Sequence, residues 1–138
     1  MKNPYPRVAR LRTAGDFESH VESLDIHLPF DRTLVPGDEG PLGQTLTLQS
    51  GRIIGNRFAV LPMEGWDGTH DGKPTDKVLR RWKNFGRSGG KLIWGGEAAA
   101  VRPDGRANPK QLMINAETMP GLGALRSALL QEHASLYG

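Results

Sequence analysis

The 138-residue sequence contains no cysteine, which excludes disulfide bonds, thiolate metal sites and a cysteine nucleophile. It also has no run of 18 apolar residues, the length that a membrane-spanning helix needs. The N-terminal stretch from Met1 to Arg12 lacks the apolar segment of a signal peptide. These absences predict a cytoplasmic, globular protein without a membrane partner.

The sequence has little excess charge of either sign. Eighteen Lys and Arg residues against 15 Asp and Glu residues give a net charge of +3 without blocks of like charge. The densest cationic cluster, Arg80, Arg81, Lys83 and Arg87 around Trp82, could be a nucleic-acid patch. A solvated helix face beside a buried Trp82 explains the same residues more simply, so we expect no nucleic-acid partner.

Several common catalytic motifs are missing. The histidines His20, His27, His70 and His133 are far apart and form no metal-binding pair on one helix, so no metal site is expected. No Gly-x-Ser-x-Gly elbow supports a serine hydrolase, and no glycine-rich dinucleotide loop is complete.

Glycine and proline punctuation divides the chain into two regions. Residues 1–43 are predicted to be an N-terminal extension. Thr13 and Asp16 have the spacing of a capping box, which predicts a short helix with Phe17, Val21 and Leu24 on one face. Irregular chain rich in Pro and Gly follows, and the pattern changes at residue 44.

Residues 44–138 have the pattern of an α/β fold. Alternating polarity around a Ser50–Gly51 turn predicts a hairpin within 45–58. Short apolar runs predict strands at 58–62 and 91–95, the first buried on both faces, and helical spacing predicts helices at 76–86 and 119–135. Glycines from Gly86 to Gly90 are expected to end the first of these helices. Alternating strands and helices favour parallel pairing with right-handed crossovers.

Long loops follow both predicted strands, at the end of the sheet where α/β proteins carry their active sites. The first strand exit contains Pro62, Met63, Glu64 and Trp66, and the second combines small residues with Glu97. At the first exit, a proline-terminated strand with Met63 and Trp66 as lid packing is favoured over ligand contact. At the second exit, tight turns and close approach of a flat ligand are equally supported. The residue types alone leave both interpretations open.

Three ordered segments resemble the N-terminal part of the old yellow enzyme family. These are 55–63 (GNRFAVLPM), 89–101 (GGKLIWGGEAAAV) and 103–108 (PDGRAN). The family comprises NADH:flavin oxidoreductases built as FMN-dependent (β/α)8 barrels, and the resemblance covers 44–138. It implies a partial TIM (β/α)8 barrel: the first two βα units with an N-terminal hairpin and extension, truncated before the third strand.

The resemblance also assigns roles to individual residues. Pro62 and Met63 match a Pro-Met pair whose backbone contacts the flavin, and Ala98 matches a small residue against the flavin ring. Glu64 stands where the family has a Thr, Cys or Ala that tunes the flavin, and a carboxylate there is expected to lower the flavin potential. Trp66 falls near an aromatic residue on the substrate side. The loop pair Gly105–Arg106 is expected to be structural.

The family's other flavin, substrate and phosphate residues would lie beyond position 138, so no catalytic residue is expected within this chain. The complete protein is expected to be an FMN-dependent oxidoreductase that passes hydride from NADH or NADPH to flavin and then to a small activated alkene. The isolated chain is expected to be inactive. The alternative is a non-enzymatic association module that forms homo-oligomers through exposed strand edges.

Overall fold

The computed structural model describes residues 5–138, so the first four residues of the predicted extension 1–43 lie outside the described residues. The chain divides into two compact units, Met1–Val35 and Pro36–Gly138. The functional division into 1–43 and 44–138 stays a prediction.

The first unit is built around one short helix. Helix α1 spans Ala14–Ser23 and follows a 3-10 turn at Val8–Arg10. The predicted capping box is confirmed, because Thr13 Oγ1 accepts the Asp16 amide at 3.0 Å and Asp16 Oδ2 accepts the Thr13 amide at 3.0 Å. No residue of α1 is buried, and the Phe17 ring meets Phe30 edge-on at 5.0 Å between centroids.

The second unit begins with a 3-10 turn at Gly37–Glu39 and the predicted hairpin. Strands β1 (Leu46–Thr47) and β2 (Ile53–Ile54) pair antiparallel, so the hairpin within 45–58 is confirmed. Gly51 occupies the turn with φ of +80°, a conformation that favours glycine.

Two helices, α2 (Asp76–Arg87) and α3 (Met119–Tyr137), confirm the predicted helices to within two residues. Helix α2 ends among the predicted glycines: Gly86 is its buried penultimate residue, and Gly89, with φ of +76°, follows its end. A Cβ on Gly86 would stand 2.3 Å from the Leu129 carbonyl oxygen. The absence of a side chain at Gly86 therefore allows α2 and α3 to pack closely.

The strands pair in parallel, as predicted, but they are shorter and interrupted. Strand β3 (Ala59–Val60) pairs with β5 (Leu92–Ile93), and each chain segment then pairs again as β4 (Met63–Glu64) with β6 (Glu97–Ala98). The predicted continuous strands 58–62 and 91–95 therefore end early and resume. A single parallel bridge from Ala100 to Met113 follows.

A one-residue bulge causes the interruption. Ala59 pairs with Leu92, whereas Met63 pairs with Glu97, so the second segment has one residue more between the two pairings. The extra residue is accommodated at Gly95 and Gly96, whose φ values are +73° and +69°. The Glu97 amide donates to the Gly95 carbonyl at 2.8 Å across this tight turn.

The core of the second unit lies beneath the helices. Val78, Leu112 and Leu125 are each at most 1% exposed and pack together, with Trp82 half-buried against them. The prediction that the first strand is buried on both faces is wrong, because Phe58 is 52% and Leu61 67% exposed. Among residues 5–138, β3 pairs only with β5, and its Val60 is half-buried whereas Ala59 is exposed.

The second unit is therefore a mixed α/β structure with three two-stranded sheets, and its described part forms no closed barrel. Across residues 5–138, no helix has the length and apolar character to cross a membrane.

Candidate functional site

The structure brings four of the five predicted site residues together at the strand exits. Met63 pairs with Glu97 and Glu64 with Ala98 in the β4–β6 register. Pro62 lies beside Gly95, where an added Cβ would stand 3.7 Å from the proline Cβ.

The strand exits present an open, largely apolar surface. Leu61, Met63, Trp66 and Trp94 are between 64% and 74% exposed, and Glu64 is exposed among them. Trp66, the predicted substrate-side residue, follows the buried Gly65 and belongs to neither strand. The surface combines apolar side chains with one carboxylate, a composition that suits a flat, partly polar ligand.

A cavity of about 450 Å³ opens between the strand exits and α2. Its wall includes Met63, Glu64 and Phe85, together with the Arg81–Glu97 ion pair. A second cavity, of about 610 Å³, lies between β5 and α3 and includes Trp82, Ile93 and Arg126 in its lining. The Trp82 indole nitrogen is buried and has no hydrogen-bond acceptor.

Arg81 of α2 joins the two strand exits electrostatically. Its Nη1 donates to Glu97 Oε1 at 2.6 Å, and its Nη2 donates to Asp67 on the loop that follows β4. The pKa of Arg81 is raised: partial burial opposes the charge, but the hydrogen bonds and charges of Glu97 and Asp67 outweigh that effect. The guanidinium therefore stays charged at every accessible pH.

Two buried amide side chains from the loop after β6 hold the same region. Asn108 Nδ2 donates to the Gly65 carbonyl at 3.0 Å, and Gln111 Nε2 donates to the Ala98 carbonyl at 3.2 Å. Both residues are less than 7% exposed. Asn108 thus holds the backbone one residue after Glu64, and Gln111 holds the backbone of Ala98. Glu64 and Ala98 are both predicted flavin contacts.

The sequence analysis missed Arg81, Asn108 and Gln111 as site-forming residues. One signal was available for Arg81, which follows the core residue Val78 by three positions and precedes Phe85 by four. That spacing places Arg81 on the inner face of α2, where a charge needs a partner. No comparable signal existed for the two amides, because their partners are backbone carbonyls that are distant in sequence.

Arg106 has the structural role that was expected for Gly105–Arg106. Its guanidinium donates to the carbonyls of His70 at 2.7 Å, Thr69 at 3.3 Å and Gln111 at 2.6 Å. The residue thereby ties together the loops that follow the two strand exits.

The cationic cluster on α2 is largely neutralised. Arg81 pairs with Asp67 and Glu97, while Arg87 lies 2.7 Å and Lys83 3.6 Å from the Glu132 carboxylate of α3. Among the described residues, only Arg80 of this cluster has no acidic partner. This pairing weighs against a phosphate-binding patch.

The strand-exit residues fit one wall of a flavin site. Exposed Met63 and half-buried Ala98 offer apolar contact, which suits the face of a flat ring. Glu64 supplies an exposed carboxylate on this surface. Within residues 5–138, no cluster of three or more His, Asp and Glu side chains could hold a metal ion.

Comparison with known proteins points to the same chemistry. No family model matches the sequence. A protein named probable NADH-dependent flavin oxidoreductase, from Bacillus subtilis (strain 168), is 35% identical over 99 residues, which cover 68% of this chain and 25% of that protein. The chain thus spans about a quarter of the length of the curated relative that it matches. This partial similarity supports a flavin-oxidoreductase-like origin for the chain.

Proposed function

We propose that the chain forms the N-terminal portion of an FMN-dependent NAD(P)H oxidoreductase of the old yellow enzyme type. Residues 44–138 would then contribute two βα units of a (β/α)8 barrel. The complete protein would be cytoplasmic. The observation that carries the proposal is the parallel β4–β6 pair, which sets Glu64 beside Ala98 in a chain similar to a flavin oxidoreductase.

In the completed protein, Pro62, Met63 and Ala98 would contact FMN, and Trp66 would face a small activated alkene. When bound, the flavin supplies hydride transfer between the nicotinamide and the substrate. The chain's own residues would support the ring from one side and limit the access of water. Glu64 would place a negative charge where it disfavours electron-rich reduced flavin.

A chimera tests this proposal. Residues 44–138 would replace the matched segment of the Bacillus subtilis relative, and flavin content and NADH oxidation would be measured. The proposal predicts a folded chimera that binds flavin stoichiometrically and oxidises NADH. A chimera that unfolds cooperatively, as a folded protein does, yet carries no flavin would contradict it.

A second candidate is self-association of the 138-residue chain through its uncovered strands. The exposure of Phe58, Leu61 and Trp94, which is 52% or more for each, favours this alternative. Sedimentation velocity over a range of concentrations distinguishes the candidates. A stable dimer that survives Leu61→Glu would contradict association through this face.

A further inference from the structure

Arg81 connects two segments that are distant in sequence, the loop after β4 and the start of β6. Its two terminal nitrogens bond to Asp67 after β4 and to Glu97 at the start of β6. The side chain therefore spans from the backbone of α2 to both strand exits. Neither carboxylate lies on the helix that carries Arg81.

Glu97 depends on this contact. Its side chain is only 2% exposed, and its second oxygen, Oε2, has no hydrogen-bond partner. Among residues 5–138, Arg81 is the one cation paired with it. Removal of the guanidinium would leave a buried carboxylate without compensation, which proteins tolerate poorly.

Gly65 rests directly on the ion pair. A Cβ on Gly65 would stand 2.2 Å from Glu97 Oε2 and 3.1 Å from Arg81 Nη1. A displacement of the ion pair toward Gly65 would therefore move the backbone next to Glu64. On the other side, Glu97 is the residue immediately before Ala98, so the same displacement moves the second exit.

We propose that Arg81 is a positioning residue, which sets the separation and alignment of the Glu64 and Ala98 backbones through Asp67 and Glu97. That the two strand exits hold a flavin is an inference that rests on the proposed function. The alignment of the exits is a property of this chain alone. The Arg81 side chain donates to Glu97 and Asp67 and makes no hydrogen bond to Glu64 or Ala98, so it acts through the ion pair.

The test is residue-resolved amide hydrogen exchange on the 138-residue chain, comparing Arg81→Gln with Arg80→Gln. Arg80 is adjacent, exposed and without an acidic partner among the described residues, so it matches the change in charge. For Arg81→Gln we expect protection at 63–65 and 97–98 to fall by about tenfold or more, with core amides of α2 and α3 unchanged. Arg80→Gln should change neither set.

Two further variants keep the test decisive if Arg81→Gln does not fold. Gly65→Ala retains every charge but drives a methyl group into the ion pair, so it should reproduce the same local loss of protection. Arg81→Lys retains the charge but cannot bond both carboxylates through two separate nitrogens. It should therefore show a smaller loss of protection than Arg81→Gln. A uniform loss across helices and strands, or no loss at the exits, would overturn the positioning role.

The exchange measurement is made without flavin, so a negative result there contradicts the positioning role and leaves the proposed function untouched. In the flavin-loaded chimera, Arg81→Lys should shift the visible absorption bands of the flavin while Arg80→Lys leaves them in place. A flavin-loaded chimera whose spectrum is unmoved by Arg81→Lys contradicts positioning alone. A chimera that carries no flavin contradicts the proposed function alone.

Discussion

Gly96 lies directly against the indole ring of Trp82: a Cβ at this position would stand 2.7 Å from Cζ2 and 2.8 Å from Cη2. Trp82 belongs to α2 and Gly96 to the bulge between β5 and β6. The contact therefore determines how closely the helix approaches the point where the strand pairing shifts. The φ of +69° at Gly96 independently favours glycine.

Gly96→Ala should lower the free energy of unfolding by about 2–3 kcal/mol, because the methyl group clashes with Trp82 and the positive φ is strained. Gly95→Ala is the matched control, since it has a similar φ but meets only Pro62 at an ordinary 3.7 Å. It should cost about 1 kcal/mol. Urea denaturation measures both, and equal losses would show that the Trp82 contact contributes nothing.

Gly86→Ala should destabilise the second unit by about 3 kcal/mol, because its methyl group would meet the backbone of α3 and the helices would have to separate. Gly123→Ala, within α3, meets nothing within 4 Å and should instead stabilise by about 1 kcal/mol through helix propensity. Thermal unfolding followed by circular dichroism gives both signs. Two changes of the same sign would contradict the close α2–α3 packing.

Acid should weaken the loop before α2 through Asp71. The Lys73 ammonium, 2.7 Å away, and the Thr69 hydroxyl lower the pKa of Asp71 from 3.8 to about 2. A lowered folded-state pKa adds stability above pH 3.8, and that stability is lost as the pH falls through about 2. The free energy of unfolding should therefore fall less between pH 5 and about pH 2 in Asp71→Asn than in the wild type.

The control for Asp71 is ionic strength. Because the ion pair is exposed, about 1 M salt should screen it and reduce the difference between wild type and Asp71→Asn. Denaturation curves at several pH values provide the measurement. A difference between the two proteins that persists unchanged below pH 2 would rule out the ion pair as its cause.

The isolated chain should bind FMN weakly. The strand exits offer apolar and backbone contacts from Met63 and Ala98, which are too few to offset the cost of association. Fluorescence titration with FMN should show no saturation at low micromolar concentrations, whereas the chimera should retain flavin through purification. A purified 138-residue chain with stoichiometric flavin would refute this expectation.

Local patterns in the sequence predicted local structure well. The Thr13–Asp16 capping box, the hairpin and both long helices are confirmed because each depends on residues within a few positions. Parallel pairing of the strands is also confirmed, since alternating strands and helices leave few other connections. These features needed no knowledge of distant contacts.

Non-local contacts account for what the sequence could not predict. Trp82 packs against Gly96 at the bulge, and the buried carboxylate of Glu97 pairs with a helix residue 16 positions away. The burial predicted for Phe58–Leu61 was wrong because an apolar run shows only that a strand can be covered. Whether it is covered depends on residues elsewhere, and in the described part of this chain Phe58 and Leu61 stay more than half exposed.

The roles of five strand-exit residues are proposals that the flavin-binding chimera tests together. These residues are Pro62, Met63, Glu64, Trp66 and Ala98. Among these residues, Glu64 is the most informative, because it places a carboxylate where the family it resembles has a hydroxyl, thiol or methyl group. A substitution there alters electrostatics and leaves the apolar contacts of Met63 and Ala98 in place.

The most direct test of the account is the midpoint potential of the flavin bound to the chimera, compared between Glu64 and Glu64→Thr. A nearby carboxylate penalises reduced flavin, so Glu64→Thr should raise the potential by some tens of millivolts, roughly 30 mV for each 1.4 kcal/mol, and slow reoxidation by substrate. Flavin content should stay the same. An unchanged or lower potential would contradict the placement of Glu64 at the flavin.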